Sequence, residues 1–399
     1  MNTMELNRKS LLSRLCAAFC FMLLMVLAIR WQRIFFLMCN DYILSDVPAH
    51  IGLAMANADY GLSSYIIKAL YALFDEHRAL TMLSIILAMN MGLGIFTLWL
   101  LICRMFPGLN RNYSLLAVLL AHLCGPWIIP GVESQMGMYL GVYNGNVYHN
   151  MTVLFSRSFI PLCFVFFFKL WDQRHDKIEF APWLGLTLSF LVTTLFKPNF
   201  AFAFIPMLAV WLIYDFIRLR AKNFKNEFFM GLTVVPAGLA CIWQYLVLFD
   251  DNFAGTSSSM ALRVLVFSQL ISLVIMYLRG LLLPIFALSL QGKKETAEKE
   301  HIGLMLWCNV IAIIEALTIT ETGFRANDGN LEWGSLSLYT TLFAVSIALL
   351  FRMMQQADYR KKADVLKVTL GLILLLGHLI IGVYCRAQPG NAGYHWFYF

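Results

Sequence analysis

The sequence predicts an all-α polytopic membrane protein. Three observations carry that expectation: 60% of the residues are hydrophobic, only 13% are charged, and the mean hydropathy is +0.70. A soluble core of 399 residues does not need so much apolar sequence, so the natural solvent is a bilayer.

A bilayer is crossed by about 20 apolar residues, and on that measure eleven spans are expected. They lie near 12–31, 79–103, 113–130, 153–171, 181–197, 199–217, 229–249, 264–290, 302–320, 334–351 and 366–385. The first run lacks a small-residue cleavage site and is expected to stay as a helix. The spans form one transmembrane domain over 1–399. With a cytoplasmic N-terminus, twenty of the 30 Lys and Arg fall on cytoplasmic segments, nine fall outside, and Arg279 lies within a span. That bias predicts N-in, C-out. It also accounts for the net charge of +7, so no nucleic-acid partner is expected. The nine cysteines are scattered singly, with no spacing for zinc, an iron–sulfur cluster or a disulfide framework.

The outer segments carry the unusual chemistry. Residues 32–78 are too long for a turn and hold two helix-like stretches, about 47–58 and 63–75. In the second, Tyr65, Ile66, Leu70, Leu73 and Phe74 recur at helical spacing, as in a helix lying in the membrane interface. Loop 131–152 is rich in Gly, Asn and Tyr, whereas the cytoplasmic loops read as plain charged connectors. No internal repeat is visible, which counts against a transporter built from inverted halves.

Four polar constellations follow. In SDVPAH (45–50), Asp46 and His50 are four residues apart and share a helix face, where a carboxylate can act as base or hold a divalent metal. Ser45 or Asp46 ahead of Pro48 is equally a helix start, and Asp41 is a rival carboxylate. In NGNVYHNMTVLFSR (144–157), Asn146, His149, Asn150 and Thr152 stand at the mouth of the fourth span. Arg157 lies about one turn inside it. Amides and imidazole suit sugar hydroxyls and Arg suits phosphate; a polar loop with a snorkelling Arg is the plainer reading. In LFKPNFAF (195–202), Lys197-Pro198-Asn199 joins two spans at or below the interface, where a lipid phosphate, an acidic side chain or snorkelling would satisfy the cation. In ETGFRANDGNLEWG (321–334), Arg325 is a second phosphate candidate or the partner of Glu321, with Asp328, Asn330 and Trp333 alongside. Two in-span charges, Arg279 and Glu315, lie at different depths and pair only if the eighth span is broken near Gly280.

This layout resembles the GT-C superfamily of membrane glycosyltransferases. Its usual catalytic position is an acidic residue in the first outer loop, which typically carries two interfacial helices; Asp46 and the 47–75 stretch match. GNVYHNMT…R, KPNFAFAF and ETGFR…GN.EWG also resemble bacterial multi-span proteins found with surface-polysaccharide functions. The resemblance implies transfer of a sugar from a polyprenyl-phosphate donor to a glycan or lipid acceptor, at the outer face of a bacterial inner membrane. Asp46 would be the base, with His50 and His149 orienting the acceptor or sharing the proton work. Lys197, Arg157 and Arg325 would stabilise the phosphate leaving group, and Asn150, Asn199 and Asn330 would bind the sugar donor. One departure is the lack of an Asp-x-Asp or Glu-x-Asp pair in the first loop, which leaves a divalent metal open. The competing readings are a surface-polysaccharide polymerase or ligase, and a transporter or flippase of lipid-linked sugars.

Overall fold

The computed structural model describes residues 3–40, 45–56, 61–125, 127, 150–248, 259–265, 267–289, 297–323 and 330–387. The protein is an all-α polytopic membrane protein. Eight helical segments among the described residues are long and apolar enough to cross a bilayer. They are α1 (Thr3–Asn40), α4 (Glu76–Met105), α6 (Met151–Asp172), α8 (Asn199–Arg218), the joined pair α9 (Phe224–Leu232) and α10 (Val235–Leu248), α13 (Ala297–Thr318), α14 (Trp333–Gln356) with the 3-10 turn Asn330–Glu332 before it, and α15 (Lys362–Arg386).

The other three expected spans differ from the plain pattern. Helix α5 (Arg111–Ala121) ends well before residue 130. Helix α7 (Phe180–Phe196) has 17 residues, roughly 26 Å of helix. The stretch 264–290 is divided into α11 (Phe267–Gly280) and α12 (Leu282–Ser289), interrupted at Leu281. The division falls where Tyr339 of α14 crosses closely: a Cβ on Gly280 would lie 2.9 Å from the Tyr339 hydroxyl. The first loop contains α2 (Val47–Met55) and α3 (Leu62–Leu73). Helix α3 buries Ile67 and Leu70 and leaves Tyr65 and Leu73 exposed.

Helices α14 and α6 are central. In their most apolar stretches 89% and 78% of residues are buried inside the protein, against 17% for α1. In lipid, burial between helices gains packing and hydrogen bonds rather than release from water. The contacts are of that kind. Between α4 and α6, Asn90 Nδ2 donates to Leu154 O (2.8 Å), Ser158 Oγ donates to Asn90 O (2.8 Å) and Thr97 Oγ1 donates to Ser158 O (2.7 Å). Gly94 lets α4 approach Ser158. Between α6, α7 and α8 the filling is aromatic, with Phe164, Phe167, Phe190, Phe200 and Phe204 in mutual ring contact.

The bundle has two chemically different ends. The near end holds α2, α3, the α7–α8 turn, the start of α6 and a two-stranded antiparallel ribbon, β1 (Met260–Leu262) on β2 (Ile319–Glu321), in register Met260 to Glu321. Arg263 extends the ribbon: its N–H donates to Thr318 O, and its guanidinium meets Ala316 O and Glu332. The far end is tied by charges. Asp172 accepts from Arg104 (3.0 Å) and meets His301 (2.7 Å); Arg174 bridges Asp215 (3.0 Å) and Glu300 (2.8 Å) over the Trp171 ring; Arg352 pairs with Glu298.

Helix α15 docks on the end of α5 through main-chain contact. Gly125 N–H donates to His378 O (2.9 Å), and Arg386 donates to Leu123 O (3.0 Å) and His122 O (2.6 Å). A Cβ on Gly382 would run into Leu123 O and stand 2.6 Å from Gly125 N. Gly382→Ala is therefore expected to destabilise the protein by about 3 kcal/mol, since backbone cannot yield as a side chain can. Gly92→Ala, in α4 with nothing within 4 Å of its Cβ, should hold or raise the midpoint. Equal thermal melts of the two variants in detergent would refute the difference.

Candidate functional site

Helix α2 begins as its sequence suggests, with Pro48 in the first turn, but Ser45 and Asp46 divide the work unevenly. Ser45 Oγ accepts from Val47 N–H (3.1 Å) and closes the turn. Asp46 occupies the N-cap position yet makes no side-chain capping bond to its own helix. Its carboxylate turns outward from α2. Oδ2 lies 3.3 Å from His50 Nε2, one helical turn on, and Oδ1 accepts from Met151 N–H at 3.3 Å, 105 residues away. The Asp46 side chain remains 21% exposed and His50 13%, so the pair is sheltered but reachable.

Met151 is the first residue of α6. Asn150 caps that helix: its Oδ1 accepts from Val153 N–H (3.0 Å) and from Thr152 Oγ1 (2.7 Å). Asp46 thus supplies a second acceptor to the same helix start. A carboxylate is well placed there, because the unsatisfied N–H groups and the helix dipole favour negative charge. The bond also fixes α2 against α6. Chemically, the result is a carboxylate–imidazole pair that can accept and hold a proton.

The second group is built on the α7–α8 turn. Lys197 is the C-cap residue of α7 and Pro198 the N-cap residue of α8. Lys197 Nζ donates to Asn330 Oδ1 (3.3 Å), Asn330 Nδ2 donates to Glu321 Oε2 (2.6 Å), and Asn199 Nδ2 donates to Asn330 O. One amide therefore links the lysine to a carboxylate of the ribbon, while the buried Asn199 pins the turn to the 3-10 helix. The two groups meet through the α6–α7 contact. Phe155, one turn into α6, stacks on Phe196, the residue before Lys197, at 4.6 Å and 11°.

Arg157 goes elsewhere. It is buried on another face of α6, where it lines a cavity of about 10 Å³ with His122, Ser158, Thr340 and Thr341. That volume suits about one water molecule, not a phosphate. His149 and Arg325 lie outside the described residues, as do Asp41, Asn146 and Asp328. Of the candidate site residues, the structure brings together Asp46, His50 and Asn150 in one group and Lys197, Asn199 and Asn330 in the other. Sequence reasoning did not pair residues 260–262 with 319–321, although the β-branched run Thr318–Thr322 carries a strand signal. The Arg263–Glu332 ion pair was likewise unforeseen. Among the described residues no three His, Cys, Asp or Glu side chains come together.

The fold defines an integral membrane protein of the all-α polytopic class, and these two polar groups stand at the same end of it. Comparison with protein-family models, with curated proteins and with solved structures finds no match.

Proposed function

We propose that this protein is an integral-membrane glycosyltransferase of the GT-C type. It moves a sugar from a polyprenyl-phosphate-linked donor to a glycan or lipid acceptor during cell-surface glycan synthesis. In this reading the chain crosses a bacterial inner membrane eleven times, with its N-terminus in the cytoplasm and the near end outward. The observation that carries the reading is the Asp46 carboxylate: it stands at the start of α2, does not cap α2, and is paired with His50 at the same end of the bundle as Lys197.

The reaction needs two services. The acceptor hydroxyl must lose its proton as its oxygen attacks the anomeric carbon, and Asp46 takes that proton with His50 beside it. The bond from the anomeric carbon to the phosphate oxygen breaks, and the electron pair leaves with polyprenyl phosphate. Lys197 stabilises the charge on that leaving group, and Asn199 and Asn330 orient the donor.

The test is a transfer assay of the purified protein with a polyprenyl-phosphate hexose and membrane-lipid or glycan acceptors. Lys197→Ala is expected to weaken donor binding at least about tenfold, as loss of a charge-assisted contact does. Donor affinity unchanged in that variant would remove Lys197 from the phosphate. Movement of the donor across a vesicle membrane with no sugar transferred would favour the flippase reading instead.

A further inference from the structure

The far end holds a second concentration of chemistry, independent of the site above. Arg218, Arg220, Lys222 and Lys225 fall within eight residues at the α8–α9 turn, all exposed, and among the described residues none of them has a carboxylate partner. Among the other cations at this end, Arg104, Arg174 and Arg352 are each paired with a carboxylate. The acidic residues closest in sequence, Asp215 and Glu227, are both buried. Asp215 is held by Arg174.

The backbone of the turn adds a second observation. Ala221 N–H donates to Phe216 O (2.8 Å) and Arg220 N–H to Ile217 O (3.2 Å), the paired bonds of a helix end that glycine usually terminates. Here the left-handed position is filled by Arg220, with φ 50°, and Ala221 follows at φ 60°. Glycine would sit there with less strain, so the turn carries the arginine side chain at a conformational cost. Below the turn runs an apolar wall that the protein leaves uncovered: Ile213 and Ile217 on α8, Phe224 and Phe228 on α9, each more than half exposed. Clustered cations above an uncovered apolar wall complement a molecule with an anionic head and acyl chains.

We infer that the α8–α9 turn is a binding site for an anionic glycerophospholipid. Its phosphate lies among Arg218, Arg220, Lys222 and Lys225, and its acyl chains lie along Ile217 and Phe228. The site does not depend on the transferase reading or on which way the protein faces.

The experiment uses the full chain purified in detergent, incubated with equal amounts of dioleoylphosphatidylglycerol and dioleoylphosphatidylcholine. Bound lipid is counted by native mass spectrometry. The parent is expected to retain the anionic phosphatidylglycerol in preference. Arg220→Gly should lose about fivefold of that preference, the effect of one cation near a lipid surface. The same variant should melt at a higher temperature, because the left-handed strain is relieved. Opposite movement of stability and binding cannot come from misfolding. Lys222→Gln with Lys225→Gln should lose more, and Arg78→Gln at the near end should lose nothing. Equal retention of the two lipids by the parent, full retention by Arg220→Gly, a lower melting temperature for it, an equal loss in Arg78→Gln, or displacement by millimolar inorganic phosphate would each overturn the assignment.

Discussion

If the protein is the transferase proposed above, replacing Asp46 by Asn is expected to lower sugar transfer by about 10²–10⁴-fold, the usual worth of a positioned general base, with little change in stability. The substitution is informative because Asp46 has a structural use as well. Its Oδ1 accepts from Met151 N–H at the start of α6, and an asparagine keeps a carbonyl oxygen for that bond. What Asn removes is the negative charge and the capacity to take a proton. Asp46→Ala removes the acceptor too and should cost about 1 kcal/mol of stability in addition, as lost caps do. Ser45→Ala supplies the converse: it opens the cap of α2 and should shift the melt by a similar amount while transfer per folded molecule stays at the parent level. If Asp46→Asn transfers sugar at the parent rate, the carboxylate serves only to hold α2 against α6.

The second large effect lies at the far end. Arg174→Met is expected to destabilise the protein by about 3–5 kcal/mol, the cost of leaving a buried charge without its partner. Arg174 joins Asp215 and Glu300 at 3.0 and 2.8 Å, and the Asp215 side chain is only 6% exposed. Glu227, also buried, adds a second carboxylate on α9. The connection spans the α6–α7 loop, α8 and α13, so its loss should loosen all three. Adding Asp215→Asn to Arg174→Met should recover at least half of the loss, because the stranded charge then disappears. The exposed pair Arg78–Asp75, with side chains 76% and 58% exposed, sets the scale for comparison: Arg78→Met should change the melt by less than about 1 kcal/mol. Arg174→Met melting no lower than Arg78→Met would refute the argument.

Much of the architecture is legible in hydropathy because the bilayer demands long apolar helices. Expected spans 79–103, 153–171, 199–217 and 334–351 lie inside α4, α6, α8 and α14. The departures have physical causes. A charge ends a run of hydropathy but not a helix, so α1 continues past Arg30 and Arg33 to Asn40 and buries Trp31, Phe35 and Met38. Helix α5 stops early where Arg386 takes the carbonyls of His122 and Leu123 and His378 holds Gly125. Those partners are more than 250 residues away, and local sequence contains no trace of them. The same holds for the candidate site. SDVPAH announces a helix start and a carboxylate–imidazole pair, yet only the tertiary fold could say that Ser45 would close the turn and Asp46 would turn to α6. Arg157 was legible as a cation about one turn inside a span, but its burial and its helix face depend on how α4, α5 and α14 surround α6.

The ribbon at the near end has a topological consequence. Residues 260–262 pair with 319–321, so α11, α12 and α13 leave from one strand and return to the other. The excursion is a closed lasso with its knot at the near end. A pull on either neighbouring stretch of chain loads the ribbon before it loads those helices, and the Lys197–Asn330–Glu321 chain hangs from the same knot. The position of Lys197 is thereby separated from whatever the far ends of α12 and α13 experience on the other side of the bundle.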